Sequence, residues 1–170
     1  SEPKIKTAYL KFDPADYKAQ VAIDPEAMEA YYNENRKRFE TAEKAEARHI
    51  LIKTDKEDSQ EAVNKALARA TEIYEKAKAG EDFAELAKTH SEGPSGKNGG
   101  YLGAFERQAM VKPFSDKAFS MNPGDISEPV KTQFGWHVIK LESKTEASKK
   151  SFETVKDQIK TELEKQELQN

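Results

Sequence analysis

Residues 90–105, HSEGPSGKNGGYLGAF, contain five of the eight glycines of this 170-residue chain and its only adjacent glycine pair. Glycine adopts positive φ angles without steric cost, so such a cluster marks backbone that turns tightly or lies close to another group. Two kinds of loop need such backbone: a loop that cradles a phosphate, and a loop that walls a groove in which another polypeptide lies. The surrounding sequence has to decide between them.

The flanking patterns do not suit a phosphate loop. A P-loop follows a strand, precedes a helix and has Ser or Thr after its Lys. Here the helical pattern DFAELAKTH precedes the glycines, the strand-like GYLGAF follows them, and Lys97 is followed by Asn98. The sequence therefore argues against the phosphate loop and leaves the groove wall open.

Composition argues against several other kinds of site and partner. Charged residues make up 35% of the chain, but the net charge is only -3 and acids and bases are interleaved, so we expect no nucleic-acid partner. The absence of cysteine excludes disulfides, thiolate metal sites and Cys nucleophiles. Eight Phe, six Tyr and one Trp suffice for one modest core with amphipathic helices around it.

The chain has no apolar run near the roughly 18 residues that a membrane span needs. Its start, SEPKIK, has neither an initiator Met nor a signal-like apolar stretch. We expect either a soluble protein after processing or a segment of a longer chain.

Capping residues predict two helices before the glycine-rich loop. Asp58 and Glu61 have the spacing of a capping box, apolar residues then recur at helical intervals, and Gly80 marks the stop. Asp82 and Glu85 repeat the capping pattern at the start of a shorter helix. A strand, ARHILIK, precedes both helices.

Strands and one short helix are predicted after the loop. Pro129 does not suit a central strand, so its segment is expected at an edge of the sheet. In chain order the elements are strand GYLGAF, helix KPFSDKAFSM, turn NPGD, interrupted edge strand ISEPVKT and final strand GWHVIKLE.

Both ends carry amphipathic helical patterns. At the N-terminal end the strand-like KIKTAYLKF is followed by a predicted helix over 24–39, with Asp24 as N-cap and Pro25 at the first helical position. At the C-terminal end a second helix is predicted over 151–168. Their apolar faces can pack on each other, on the central region or on a second copy of the chain.

Two of the three histidines, His49 and His137, fall in the first and last strands of the central region, whereas His90 closes a helix. If those strands are neighbours, the two imidazoles meet in the sheet. Without cysteine or a nearby carboxylate pattern, the residues favour buried polar groups over metal ligands.

An apolar set follows the loop, and its spacing does not separate a core from a pocket. Its members are Leu102, Phe105, Met110, Phe114 and Phe119.

In this order the motifs resemble the parvulin (rotamase) family of peptidyl-prolyl cis-trans isomerases. The likeness runs from about Ala47 to Leu141 and includes a strand histidine, GGxLGxF, MxxPF, the PG-x-hydrophobic-S-x-PV turn and strand, and FGxH. The flanks look like those of periplasmic foldases of the PpiD and SurA type.

The resemblance implies an α+β fold with a four-stranded antiparallel sheet surrounded by about four helices, in the order β-α-α-α-β-α-β-β, with helical extensions at both ends. The implied domains are an N-terminal extension over 1–45, the isomerase domain over 46–143 and a C-terminal amphipathic helix over 144–170.

The implied activity is isomerisation of X-Pro bonds in unfolded or extended polypeptides, as a folding factor and without a cofactor. The alternative is a weak or inactive parvulin domain that serves as a peptide-binding chaperone module. The resemblance also implies a periplasmic or cell-envelope location, with a membrane anchor on a segment outside this chain. The flanking helices leave a homodimer and an intramolecular clasp equally open.

The resemblance assigns three residues to a polar network in the sheet and three to the pocket for the proline ring. The network residues are His49, His137 and Thr132, and the pocket residues are Leu102, Met110 and Phe114.

One position departs from the family pattern. Gly93 stands where many members carry Cys or Asp, and the adjacent Glu92 is a candidate substitute if the loop shifts. The acidic stretch KTDKEDSQE has no Arg cluster, so no preference for phosphorylated substrates is expected.

Overall fold

The computed structural model describes residues 22–170, which form two compact units. One unit is Ala42–Ala147, and the other combines the described residues up to Thr41 with Ser148–Asn170. The predicted strand KIKTAYLKF lies outside the described residues. Within residues 22–170 we find no helix with the length and apolar character of a membrane span.

Five α-helices and six strands are present in the described residues. The helices are α1 (Pro25–Glu34), α2 (Gln60–Lys78), α3 (Phe83–His90), α4 (Lys112–Ser120) and α5 (Phe152–Gln169). The strands are β1 (Glu40–Thr41), β2 (Lys44–Lys53), β3 (Tyr101–Phe105), β4 (Val130–Thr132), β5 (Gly135–Thr145) and β6 (Ser148–Lys149). Short 3-10 helices cover Arg36–Phe39, Gly96–Asn98 and Arg107–Ala109.

A four-stranded antiparallel sheet in the order β3-β2-β5-β4 forms the centre of the Ala42–Ala147 unit. The two longest strands, β2 and β5, are neighbours, with Leu51 opposite His137 and His49 opposite Ile139. The strand β4 lies at an edge, as Pro129 predicts. The α+β fold expected from the sequence is confirmed.

Each face of this sheet buries an apolar cluster, because side chains of a strand alternate between the two faces. The cluster with α2 and α3 consists of Ile50, Ile52, Ala70, Ile73, Tyr74, Ala77, Phe83, Leu86, Ala87 and Val138. The cluster with α4 consists of Ala45, Ala47, Phe105, Phe114, Ala118, Phe119, Met121, Ile139 and Leu141.

Local capping explains where α2 begins and ends. Its N-cap is Ser59, whose hydroxyl accepts a hydrogen bond from the Ala62 amide, so the predicted Asp58 cap is wrong by one residue. The Asp58 carboxylate instead accepts from the Asp55 amide and closes the preceding turn. At the other end Gly80, with φ of 106°, stops the helix as predicted.

The predicted cap of α3 is confirmed, since the Asp82 carboxylate accepts from the Glu85 amide. The order β-α-α-α-β implied by the resemblance has a third helix before the second strand, and in the structure the 3-10 turn Gly96–Asn98 occupies that place. After this short turn the chain returns to the sheet at Tyr101.

The flanking unit contains α1, α5 and the two-stranded sheet of β1 and β6. Asp24 caps α1 and Pro25 is its first residue, as predicted, but the helix ends at Glu34. Asn35 leaves the helical conformation, with φ of -117° and ψ of 29°, and its side-chain amide shares the Tyr31 carbonyl with the last helical backbone hydrogen bond. The 3-10 turn that follows still buries Phe39.

The two flanking helices pack on each other, so they form an intramolecular clasp. The Tyr32 hydroxyl also donates to the Lys150 carbonyl at 2.8 Å. The buried residues of this clasp are Met28, Tyr32, Phe39, Val155 and Ile159.

Candidate active site

The pairing of β2 with β5 brings together two histidines that are 88 residues apart in the chain. Leu51 is opposite His137 in this register, so His49 is the diagonal neighbour of His137 on the same face of the sheet. The Nδ1 atoms of the two rings are 2.9 Å apart, and the rings are nearly parallel, with centroids 5.2 Å apart. The predicted meeting of the two imidazoles is confirmed.

Thr132, the last residue of β4, extends this pair. Its hydroxyl lies 2.7 Å from Nε2 of His137 and accepts a hydrogen bond from the Phe134 amide at 3.1 Å. Thr132 is only 5% exposed, so its hydroxyl proton needs a partner inside the protein. Since the Phe134 amide can only donate, that partner is Nε2 of His137.

This geometry fixes the tautomers of a neutral pair. With Nε2 of His137 accepting from Thr132, the ring proton of His137 is on Nδ1 and is donated to Nδ1 of His49. The remaining proton of His49 is then on Nε2. The three residues form a directional chain of hydrogen bonds in which no group carries charge.

Burial keeps both rings neutral. It lowers the pKa of His49 to about 4. It also lowers the pKa of His137 to about 3, with smaller contributions from His49 and from the Lys131 ammonium. Both rings are therefore uncharged at neutral pH and poorly suited to donate a proton from an imidazolium.

A groove of about 640 Å³ opens above the pair. Phe114 is 3% exposed and packs edge-on against both imidazoles, with centroids 5.6 Å from His49 and 5.3 Å from His137. The groove is mostly apolar; it is lined by His49, Leu51, Lys53, Thr54, Asp55, Pro94, Ser95, Leu102, Ala109, Met110, Val111, Phe114, Gln133, Phe134 and His137.

The structure thus brings Leu102, Met110 and Phe114 to the same groove as the histidine pair. Phe105 and Phe119, the other members of the apolar set, are buried in the core on that side of the sheet. Thr132 lies behind His137, outside the residues that line the groove.

The glycine pair brings the loop back onto the sheet. Gly99 and Gly100 have φ angles of 69° and 77°, and a Cβ on Gly100 would lie 2.3 Å from the His49 carbonyl oxygen. The Gly100 carbonyl accepts from the His49 amide at 2.9 Å, which explains the close approach. The glycines therefore hold the loop against the strand that carries His49.

The loop amides are occupied within the loop. Those of Gly96, Asn98, Gly99 and Gly100 all donate to carbonyls of Gly93, Ser95 or Gly96. A phosphate cradle needs amides that point at the anion. The groove-wall interpretation agrees with this geometry, and the phosphate interpretation does not.

Glu92 does not take the place of the polar residue absent at Gly93. Its carboxylate accepts from the Lys53 amide at 2.7 Å and pairs with Arg69 at 3.4 Å, and it is not part of the groove lining. The candidate substitution is therefore wrong. At Gly93 itself a Cβ would be in ordinary contact with the Leu51 side chain at 3.4 Å and with the Ser91 hydroxyl at 3.7 Å.

Sequence reasoning missed Phe134 as a groove residue. It is 49% exposed and belongs to the lining, although it follows the strand β4 by two positions. Its signal is the FGxH motif, in which Phe134 precedes the predicted site residue His137 by three positions.

A protein-family profile described as a rotamase, PPIC-type PPIase domain, matches residues 49–143. The foldase protein PrsA of Caldanaerobacter subterraneus subsp. tengcongensis is 40% identical over 158 residues, which cover 91% of this chain and 46% of the relative. A putative peptidyl-prolyl cis-trans isomerase Cbf2 of Campylobacter jejuni is 36% identical over 151 residues, 87% of this chain and 53% of the relative. The chain spans about half the length of these curated relatives.

Solved structures show the same likeness. One structure belongs to a study of PEB4 and the periplasmic protein Cj1289, which are described as structurally related SurA-like chaperones of Campylobacter jejuni. It matches this chain with a TM-score of 0.63 and 32% identity, and the match covers 98% of this chain and 65% of the solved chain. Peptidylprolyl isomerase PrsA of Bacillus anthracis has a TM-score of 0.54 at 31% identity, over 82% of this chain and 58% of that one.

Proposed function

The chain belongs to the PPIC-type peptidyl-prolyl cis-trans isomerase (rotamase) family, and on that premise we propose that it isomerises X-Pro bonds of unfolded or extended polypeptides as a folding factor. The observation that carries the proposal is the groove in which Leu102, Met110 and Phe114 lie beside the neutral pair of His49 and His137.

The chemistry requires rotation about one bond and no transfer of atoms. The barrier of roughly 18 to 20 kcal/mol arises from amide resonance, and the uncatalysed X-Pro step takes tens to hundreds of seconds. Acceleration to about a hundred turnovers per second needs a factor near 10⁴, or about 5 to 6 kcal/mol. A covalent nucleophile is unnecessary for an effect of this size.

An apolar groove supplies part of this energy. Amide resonance places charge on the carbonyl oxygen and the nitrogen, so transfer of the bond from water to an apolar wall disfavours the planar form relative to the twisted one. Leu102, Met110 and Phe114 hold the proline ring while the preceding carbonyl turns, which adds differential binding of the twisted state.

The polar network has a positioning role in this proposal. Neutral His49 and His137, with Thr132 behind them, fix the floor of the groove through the tautomer chain and do not transfer protons. Phe114 packs on both rings, so the network also determines where that aromatic wall stands.

A second candidate is a peptide-binding chaperone module with little catalysis. The loop offers no side chain at Gly93, and Glu92 is turned to Lys53 and Arg69, so neither position supplies the polar group that many parvulins carry there. Such a groove still binds an extended chain.

The partners and location follow from the same family. Relatives named foldases and chaperones support polypeptide clients, and one protein among them is described as periplasmic. We propose a cell-envelope location, with an anchor on a segment outside this chain.

We also propose domain limits of 1–45, 46–143 and 144–170. A homodimer through the flanking helices stays a proposal, and size-exclusion chromatography with light scattering tests it.

The deciding experiment measures isomerisation of short Ala-X-Pro-Phe peptides by the parent chain and by Met110→Ala. Met110 lines the groove and is only partly buried in the unit's core, so the variant should fold. Loss of its contact with the proline ring, about 1.5 to 3 kcal/mol, should lower kcat/KM about 10- to 100-fold.

Lys112→Ala is the matched control, because Lys112 is two residues away, outside the groove lining, and its side chain is 84% exposed. It should retain the parent rate. A folded parent that binds the peptides without accelerating their isomerisation would support the chaperone module instead.

A further inference from the structure

We propose that Phe134 determines specificity by binding an apolar or aromatic side chain that directly flanks the proline of the substrate. This inference rests on the proposed function, since it concerns the same groove. It adds a subsite that lies beside the pocket for the proline ring.

The exposure of Phe134 is the first observation. Among described residues of the Ala42–Ala147 unit, only Tyr101 and Phe134 are exposed large hydrophobic residues, at 42% and 49%. Tyr101 lies outside the groove lining, and its hydroxyl donates to Glu46 at 2.7 Å. Phe134 has no polar atom in its side chain and stands at the mouth of an apolar groove.

The backbone of Phe134 is held on both sides. Its amide donates to the Thr132 hydroxyl at 3.1 Å, and its carbonyl accepts from the Thr54 amide at 3.2 Å. The next residue, Gly135, lies so close to β2 that a Cβ there would be 2.2 Å from the Ile52 carbonyl oxygen. Backbone that is held in this way needs no reordering when the Phe134 ring binds a ligand.

The depth of the groove separates two subsites. Phe114, at the histidine pair, is 3% exposed, whereas Phe134 is half exposed at the rim. A groove of about 640 Å³ is much larger than one five-membered ring, so it has room for a neighbouring side chain. A proline ring at Phe114 leaves its flanking residue next to the rim.

The rim charges favour an apolar neighbour over a charged one. The exposed residues beside Phe134 in the lining include Lys53 and Asp55, which have opposite signs. The adjacent Thr54 makes the hydrogen bond to Phe134, so both charges lie close to that turn. A single charge on the substrate would meet attraction from one and repulsion from the other.

Two peptide series test the inference. In Ala-X-Pro-Ala-Lys the residue before proline is Ala, Leu, Phe or Glu, and in Ala-Ala-Pro-X-Lys the residue after it is varied in the same way. The parent, Phe134→Ser and the matched control Tyr101→Ser are compared by kcat/KM, with folding checked by circular dichroism and urea unfolding.

The parent should prefer Phe or Leu over Ala about tenfold in at least one series. Phe134→Ser should reduce that ratio to within about twofold of one, and Tyr101→Ser should keep the parent ratio. Phe134→Leu, which keeps an apolar side chain, should retain most of the preference for Leu. A ratio that survives in Phe134→Ser overturns the inference.

Peptide dissociation constants from calorimetry distinguish failure of the proposed Phe134 subsite from failure of the proposed isomerase function. If the parent accelerates no peptide, the proposed isomerase function fails. In that case a preference in binding that is lost in Phe134→Ser still supports the subsite, and a preference that persists contradicts it.

Discussion

Nδ1 of His49 and Nδ1 of His137 lie 2.9 Å apart, so the hydrogen bond between the two rings has room for one proton. A second proton between these two nitrogens would place two N–H groups against each other in a buried site. Several measurable properties depend on this relationship.

Turnover should be insensitive to the titration of the histidine pair. Burial lowers the pKa values of His49 and His137 to about 4 and about 3, so both rings remain neutral from pH 5.5 to pH 8. Over that range kcat/KM for an uncharged peptide should change by less than about twofold. A sigmoidal loss of activity with a midpoint between pH 6 and 7, while circular dichroism is unchanged, would contradict the positioning role.

Stability, in contrast, should depend on pH. The pKa of each buried histidine is lower in the folded state than the unfolded value of about 6.5, so below pH 6.5 the unfolded chain binds more protons. The contribution is present above the unfolded value of about 6.5 and is lost as the pH falls through the folded-state pKa values of about 4 and about 3. The free energy of unfolding should then decrease by at most about 3 kcal/mol per pH unit, the limit for two linked protons.

Urea unfolding at pH 7.5, 6.5 and 5.5 measures this slope. The double variant His49→Gln with His137→Gln should have a clearly smaller slope than the parent. His90→Gln, which removes a histidine at the end of α3 and leaves the pair intact, should retain it. Equal slopes in parent and double variant would show that the pair is not responsible.

Removal of the Thr132 hydroxyl should destabilise the sheet edge. Thr132→Val keeps the side-chain shape but leaves Nε2 of His137 and the Phe134 amide without their partner. The expected loss is about 1 to 3 kcal/mol in the free energy of unfolding. Thr132→Ser restores the hydroxyl and should recover most of that loss; a Val variant as stable as the parent would argue against the hydrogen-bond chain.

Two neighbouring glycines, Gly100 just before β3 and Gly103 within it, should respond differently to alanine. Gly100 and Gly103 have φ angles of 77° and 74°, but a Cβ on Gly103 meets nothing within 4 Å. Gly103→Ala should therefore cost only the backbone strain, about 1 to 2 kcal/mol.

At Gly100 the new Cβ would lie 2.3 Å from the His49 carbonyl, so the backbone must move and the hydrogen bond with the His49 amide is lost. Gly100→Ala should cost more than about 3 kcal/mol, the sum of strain and an unmade buried hydrogen bond. Urea unfolding compares the two variants, and equal effects would contradict the proposed role of Gly100.

Local signals in the sequence were sufficient for most elements. Asp24 with Pro25, Asp82 with Glu85, and Gly80 each specify a helix end through bonds or angles within a few residues, and the structure has all three. Pro129 excluded a central strand because it lacks an amide proton, and its segment lies at the edge.

Other local signals were ambiguous. Asp58 and Ser59 are both good caps, and the choice of Ser59 follows from the turn in which Asp58 binds the Asp55 amide. The helix α1 ends early at Asn35, where the side-chain amide also bonds the Tyr31 carbonyl, although the apolar spacing continues to Phe39. Hydrophobic periodicity alone does not register such competition between local hydrogen bonds.

The sequence by itself determined the order of the elements, most of their ends and the residue types available to the groove, because these depend on propensity, capping and periodicity over short stretches. Only the tertiary structure decided that His49 meets His137, that Glu92 turns away and that Phe134 stands at the rim. Each of these depends on the register of β5 against β2 or on the loops packed beside it. A register is a property of two strands far apart in the chain, and a shift of one residue would move every side chain to the opposite face.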